Sequence, residues 1–293
     1  MFLFNLFRVF NAFLSLFPAS FRKQFFFSLA RLAYIIDKKH RKVIGTNLDI
    51  AGIKEKIQRK KIALYCYKNL LLNLFQTIRN TQISADEANM DIELVNTKVV
   101  EEANAQNRPI IFVTAHYGNW EMLGMALVKS VEKINIVYKK LNNDYFDQYL
   151  HNTRASNGVT MIEKRGALRG ITKAMKNKES LWLLIDQNTS VRDGIVVNFF
   201  NKDARASATA AQIARKYNAA IIPVFITSED EKKYTVSFKA LIEVEKTDDA
   251  KEDILKATQA QSDAIESQIK EEPKFWFWCH KRWKTEDPEI YKY

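Results

Sequence analysis

Short apolar runs alternate with helical patterns from residue 109 onward, and this alternation limits the fold more than any other feature of the chain. The strand candidates are 109–115, 134–138, 159–163, 181–186, 195–199, 220–226 and 234–243. The helix candidates are 47–79 before this region and 119–130, 144–156, 167–177, 206–217 and 250–270 within it. Strands that alternate with helices favour a largely parallel sheet covered by helices. The sequence therefore predicts an α/β fold, an αβα sandwich around a mostly parallel sheet.

Two of the strand candidates, 195–199 and 234–243, have no helical run directly before them, and we expect them to form antiparallel edges. The 293 residues, 47% of them hydrophobic, suffice for a substantial core, and neither a repeat nor an obvious interdomain linker interrupts them. We expect two parts, an N-terminal helical segment at 1–36 and a globular domain at 37–293.

The sequence AHYGNWE, residues 115–121, follows the first apolar strand and carries the candidate chemistry. His116 is expected to emerge at the carboxyl end of the strand, where active groups gather in parallel sheets. Gly118 permits a sharp turn, Asn119 caps the next helix, and Glu121 falls in its first turn. A carboxylate in that place reaches one imidazole nitrogen and leaves the other free. The pattern predicts a general base for a hydroxyl, with backbone N–H groups of the helix start available to an oxyanion. An ordinary structural His–Glu pair explains the same spacing.

Metal and nucleotide cofactors are not indicated by the sequence. The four histidines have no paired ligand spacing, and HExxH, GxGxxG and GxxxxGK[ST] motifs do not occur. Cys66 and Cys279 lack CxxC spacing and are expected to be structural thiols. We therefore predict a site without metal or cofactor.

The charge of the chain is concentrated at its N-terminus. Of the formal net charge of +11, residues 1–61 contribute +10, and ten of the 19 Phe lie by position 27. A basic, Phe-rich segment before a nearly neutral body favours a membrane surface as partner, in particular anionic lipids. A nucleic-acid binder would carry its basic residues into the folded domain, so nucleic acid is not predicted as a partner.

The apolar segment 1–17 is expected to form a helix that ends at Pro18. Its length of about 25 Å is slightly short of a hydrocarbon core of ~30 Å. With Arg8 near the middle, a span and an orientation flat in the interface both remain open. The next segment, 20–36, is either a second membrane-associated helix or a buried helix of the globular body, followed by the basic cluster 38–42.

Several motifs occur in the order found in one enzyme family. They are the N-terminal apolar segment, AHYGNWE at 115–121, VYK at 137–139 with Arg154 downstream, LIDQ at 184–187, VNFF at 197–200, the 208–214 helix, AIIPVF at 220–225 and WCHKRWK at 278–284. With them, most of the chain resembles the lipid A biosynthesis (late) acyltransferase family, lauroyl/myristoyl acyltransferases with an H-x4-E motif.

This resemblance implies transfer of a fatty acyl chain from acyl carrier protein to a hydroxyl of a lipid A precursor, at the cytoplasmic face of the inner membrane. It implies that His116 is the base and Glu121 its orienter. Asn119, Arg154, Asp186 and Gln187 would bind the acceptor or organise the site. Asn188 departs from many relatives, which have Asp there, and this leaves the role of the loop open.

Simpler explanations stand beside these assignments. Arg154 fits a surface ion pair equally well, and Asp186 fits a turn cap. The aromatic segment 275–278 is either an interfacial belt or part of the core. His280 and Arg282 are expected at a solvated polar end. The alternative functions are a lysophospholipid-type acyltransferase with the same catalytic pair, and a non-catalytic membrane-binding protein.

Overall fold

The structure, a computed structural model, describes residues 2–79, 91–131, 133–156, 158–229 and 233–293. The α-helices are α1 (Phe2–Ser15), α2 (Ala19–Ile36), α3 (Lys38–Ile50), α4 (Lys56–Arg79), α5 (Lys98–Ala105), α6 (Trp120–Leu127), α7 (Asp144–Ser156), α8 (Ala167–Lys176), α9 (Thr209–Tyr217) and α10 (Ala250–Glu271). The strands are β1 (Asp91–Val95), β2 (Ile110–Thr114), β3 (Ile134–Tyr138), β4 (Val159–Glu163), β5 (Ser180–Leu184), β6 (Ile195–Asn198), β7 (Asp203–Ala206), β8 (Ala220–Thr227) and β9 (Lys233–Phe238).

Seven strands form one sheet in the order β1-β9-β8-β2-β5-β3-β4. Every neighbouring pair in this sheet is parallel except β8 and β9. The strands β6 and β7 form a separate antiparallel pair. The predicted mostly parallel sheet flanked by helices is confirmed.

Alternating side chains of the central strands supply two separate cores, one on each face of the sheet. Ile111 and Val113 join a core with helices α3, α4, α8, α9 and α10. Ile110 and Phe112 point to the other face and join a core with α5 and α6. Both faces of β2 are therefore covered, as its uninterrupted apolar sequence predicts.

Two predictions about strand pairing and one about the bounds of a helix need correction. Strand β9 is antiparallel to β8, but β1 pairs outside it, so β9 is not an edge. The 195–199 strand pairs with β7 apart from the main sheet. The helical pattern 47–79 is two helices, because Gly52 adopts φ +71° after α3 and Ile53 N donates to Leu48 O in a Schellman-type ending.

The N-terminal helices combine a packed side with an exposed apolar side. Phe26 and Ala30 of α2 are buried, which supports the alternative that the 20–36 segment is a helix of the globular body. Leu16 is 82% exposed, and the other large exposed apolar residues of this region are Leu6, Val9, Phe10, Phe13, Phe21, Leu29, Leu32, Ile35 and Ile36. Among the described residues, none of the helices has the length and apolar character needed to cross a bilayer. The predicted N-terminal membrane helix is thus not supported as a span of the bilayer.

Candidate active site

The site lies between the neighbouring strands β2 and β5, whose following helices lie on opposite faces of the sheet. Strand β2 leads into α6 on one face, whereas the chain after β5 reaches α9 on the other face. Thr114 pairs with Leu184, and Ile185 N donates to Thr114 O, so the two carboxyl ends stay in register. Two residues beyond each strand stand His116 and Asp186. Such a switch point is the usual ligand crevice of an open parallel sheet.

His116 is held by Asp186 through two hydrogen bonds. The imidazole Nδ1 lies 2.7 Å from Asp186 Oδ1, and the backbone N of His116 donates to Asp186 Oδ2 at 3.0 Å. Asp186 is only 4% exposed. Because the carboxylate accepts the proton on Nδ1, the lone pair of Nε2 is left for a reacting group. Gln187 Nε2 lies 3.3 Å from that Nε2 and marks the open side of the ring.

Burial and charge act against each other on this pair. Burial lowers the pKa of His116, but the charge and hydrogen bond of Asp186, with a smaller effect of the Glu121 charge, raise it by more. Burial likewise raises the pKa of Asp186, while His116 and the hydrogen bond from Trp276 lower it to about 2. The carboxylate therefore stays ionised, and the pKa of the imidazole lies above its ordinary value of 6.5.

The C-terminal segment completes the carboxylate environment. Trp276 is 1% exposed, and its Nε1 donates to Asp186 Oδ2 at 2.9 Å. Phe277 N donates to His116 O at 2.9 Å, and Gly118 N donates to Phe275 O at 3.0 Å. The aromatic segment 275–278 is thus core that supports the site, and the interfacial-belt alternative does not fit its burial.

We expect Trp276→Phe to raise the pH at which His116 titrates, because loss of the indole donor leaves more negative charge on Asp186 beside the imidazole. The measurement is an NMR titration of the histidine rings, with the His116 signal assigned from His116→Ala.

Trp278→Phe is the matched control for this titration. Trp278 is equally buried, but its Nε1 donates to Pro273 O and not to a carboxylate. Equal shifts in the two variants would mean that loss of packing, and not the bond to Asp186, moves the titration.

Glu121 has a different partner from the one predicted. Its carboxylate accepts hydrogen bonds from Arg154 Nη2 at 2.9 and 3.0 Å and from Arg154 Nε at 3.3 Å. The predicted contact between Glu121 and the imidazole is therefore corrected, because Asp186 occupies Nδ1 and Arg154 of α7 takes the Glu121 side chain. This pair ties α6 to α7 and forms part of the wall of the site.

The turn between β2 and α6 is fixed from several sides. Asn119 Oδ1 accepts from Met122 N at 3.1 Å, which confirms the predicted cap. Gly118 has φ +56°, and a Cβ there would lie 1.8 Å from Ile226 O. Asn69 and Asn73 of α4 each donate to Gly118 O, at 2.8 and 2.9 Å. Since Gly118 N already donates to Phe275 O, this N–H is not free for the oxyanion suggested by the sequence.

A pocket of about 220 Å³ opens in front of His116. Its apolar wall consists of Trp120, Ile136, Val137, Leu141, Leu150, Trp182 and Leu184. Its polar wall consists of Glu121, Tyr138, Lys139, Asp147, His151 and Arg154. An apolar cleft with a few converging polar groups next to a polarised imidazole is a candidate active site.

The structure brings together His116, Glu121, Arg154, Asp186 and Gln187, all of which the sequence singles out, while Asn119 acts as a cap beside them. The sequence singles out the C-terminal segment by its aromatic run and the WCHKRWK motif, but it does not indicate that this segment supports the site. Arg282 is 1% exposed, with Nη1 donating to Arg205 O at 2.5 Å. His280 Nε2 accepts from Asn188 N at 2.9 Å. The expected solvated polar end is thus wrong for Arg282.

Comparison with known proteins gives a consistent result. The family model described as bacterial lipid A biosynthesis acyltransferase matches residues 1–285. A lipid A biosynthesis lauroyltransferase of Escherichia coli is 22% identical over 88% of this chain and 83% of that protein. A lipid A biosynthesis acyltransferase of Haemophilus influenzae is 26% identical over 63% of this chain, and the match spans 58% of that protein. A phosphatidylinositol mannoside acyltransferase of Mycobacterium tuberculosis is 24% identical over 63% of this chain and 57% of its own length.

Proposed function

The chain belongs to the bacterial lipid A biosynthesis acyltransferase family, and from this premise we propose that it transfers a fatty acyl chain from acyl carrier protein to a hydroxyl of a lipid A precursor. The family name supports an acyltransferase of lipid A assembly. The observation that carries the chemistry is the imidazole of His116, which lines the pocket and whose Nδ1 is bound by Asp186.

In the proposed reaction His116 acts as general base. Its Nε2 takes the proton of the acceptor hydroxyl while that oxygen forms a bond to the thioester carbonyl carbon. The C–S bond then breaks, and the imidazolium returns the proton to the thiolate that leaves. Asp186 holds the ring in the right tautomer and stabilises the imidazolium. Because the imidazole must be neutral to accept a proton, we expect the rate to rise with pH through the raised pKa of His116.

The walls of the pocket suit the two kinds of group that meet in this reaction. Trp182 and Leu184, with the rest of the apolar wall, offer a surface for hydrocarbon next to the base. The Glu121–Arg154 pair and Lys139 add polar and charged groups to the lining. We propose that acyl chain and acceptor headgroup divide between these walls.

The N-terminal helices are proposed to hold the enzyme on the cytoplasmic face of the inner membrane. Their exposed apolar residues lie beside the basic cluster 38–42, a combination that favours binding to anionic lipids at the interface. Phe4 and Phe7 of α1 also contact Tyr149 of α7, which lies beside Leu150 and His151 of the pocket wall. Lipid substrates would thus reach the pocket from the bilayer surface.

We expect Val9→Ser with Leu16→Ser to reduce binding to phosphatidylglycerol vesicles at least several-fold, because both side chains are more than 60% exposed, at 67% and 82%. The measurement is co-sedimentation with vesicles. Val196→Ser with Leu255→Ser removes two exposed apolar side chains of the body and serves as control. Equal vesicle binding by both double variants and the parent would mean that the N-terminal helices are not the membrane-binding surface.

The proposed activity is tested with purified protein, acyl carrier protein thioesters and a panel of acceptors. Product is expected with a tetraacyl lipid A precursor and not with lysophospholipids. Because one group of relatives is named for phosphatidylinositol mannoside, that glycolipid is the second acceptor to include. Transfer to lysophospholipids alone would mean that the acceptor is a lysophospholipid and not a lipid A precursor. Absence of transfer to every acceptor would favour a non-catalytic membrane-binding protein.

A further inference from the structure

A second pocket, here termed the lateral pocket, opens beside the catalytic pair. It has a volume of about 670 Å³. Its lining residues are Lys164, Leu184, Ile185, Gln187, Asn188, Thr189, Arg192, Asp193, Gly194, Ile195, Ser207, Ala208, Thr209 and Gln212. Leu184 lines both pockets, and Gln187 reaches the His116 Nε2. The lateral pocket therefore lies next to the pocket in front of His116.

Two cations face this pocket without a carboxylate partner. Lys164 follows β4, and Arg192 lies in the loop after β5. Throughout the described parts of the chain, neither side chain forms an ion pair. Asp193, the carboxylate of the lining, accepts a hydrogen bond from Ser190 Oγ at 2.6 Å. The lining thus carries a net positive charge, with both cationic groups free to bind an anion.

Neutral side chains lie beside these cations. Ser207, Thr209 and Gln212 also line the pocket, and Ser207 Oγ donates to Thr209 Oγ1 at 2.9 Å. Cations combined with several neutral donors are the groups that recognise phosphate.

We propose that the lateral pocket binds a phosphate ester of one of the two substrates. This inference rests on the proposed acyl transfer, because it assigns a binding site to that reaction. The phosphate belongs either to the prosthetic arm that carries the acyl thioester or to the lipid acceptor. In both cases, the bound phosphate would hold its substrate next to Gln187 and the His116 Nε2.

The test compares two double variants that lose the same charge. Lys164→Ala with Arg192→Ala removes the cations of the lateral pocket. Arg165→Ala with Arg169→Ala removes two cations from the same stretch of chain that do not line it. We expect the first double variant to raise KM for one substrate at least tenfold, with kcat largely kept, and the control to leave both KM values within about twofold.

A binding measurement identifies the source of the phosphate independently of turnover. Calorimetric titration of the full chain compares pantetheine 4′-phosphate with pantetheine, and glucosamine 1-phosphate with glucosamine. The proposal predicts that one phosphorylated probe binds more tightly than its neutral counterpart, and that the Lys164/Arg192 variant loses this difference.

Equal increases in KM in both double variants would indicate a diffuse basic surface and overturn the proposal. Unchanged KM values in a protein that transfers acyl chains would overturn it as well. Absence of transfer by the parent protein would instead contradict the proposed function, and the calorimetric result would then decide the lateral pocket alone.

Discussion

Replacement of Asp186 by Asn is expected to lower kcat for acyl transfer by about 10³- to 10⁴-fold. The substituted amide can donate to Nδ1 of His116, which moves the imidazole proton to Nε2 and removes the lone pair that accepts the hydroxyl proton. The shape of the side chain and its hydrogen bond from Trp276 are kept. We therefore expect the thermal unfolding midpoint to change far less than the rate.

Asp147→Asn is the matched control for this variant. Asp147 also lines the pocket and is 8% exposed, but its Oδ1 accepts a backbone N–H from Leu141, which an amide oxygen can still do. We expect its kcat to stay within about tenfold of the parent. A similar loss in both variants would show that the reaction needs negative charge in the pocket and not the Asp186–His116 bond.

Replacement of His116 by Ala is expected to lower kcat by about 10²- to 10⁴-fold, the contribution usual for a positioned general base. The rate is measured with saturating acyl carrier protein thioester and lipid acceptor. Because the variant leaves an opening in front of Asp186, added imidazole is expected to restore part of the rate.

His151→Ala provides the control for the His116 variant. His151 lines the same pocket, and its ring packs against Tyr138; no carboxylate of the described residues is hydrogen-bonded to it. We expect this variant to change KM more than kcat. Full activity of the His116 variant would rule out the mechanism, whatever the His151 variant does.

The sequence predicts those elements of the fold whose apolar pattern is self-contained. The strands 134–138 and 159–163 have the predicted bounds, because both are short apolar runs flanked by polar residues. Strand β1 was not predicted, since it is partly exposed and pairs with β9, which is far away in the sequence. Its pairing depends on long-range contacts that a local pattern does not contain.

The site shows the same division between local and distant information. The position of His116 and the Asn119 cap follow from the strand, turn and helix order of their own segment. The hydrogen-bond partner of the imidazole does not, because Asp186 lies 70 residues away in the chain. Strands β2 and β5 are adjacent in the sheet, and this tertiary arrangement brings Asp186 closer to Nδ1 than Glu121.

The C-terminal segment is the part that the sequence left most open. Trp276, Trp278 and Trp283 are almost fully buried. An aromatic run is equally compatible with a core and with a membrane interface. The burial of these side chains and the bonds of Trp276 and Phe277 to the site distinguish the two. The role of the segment therefore depends on its position after helix α10, which places it next to the site.

The central claim is that Asp186, and not Glu121, holds the imidazole of His116. The most direct test is the pKa of His116, measured by NMR titration in the parent, Asp186→Asn and Glu121→Gln proteins. Burial lowers this pKa and Asp186 is the stronger of the two charges that raise it. We therefore predict a large downward shift of the pKa in Asp186→Asn and a clearly smaller one in Glu121→Gln. A downward shift that is larger in Glu121→Gln than in Asp186→Asn would contradict the assignment.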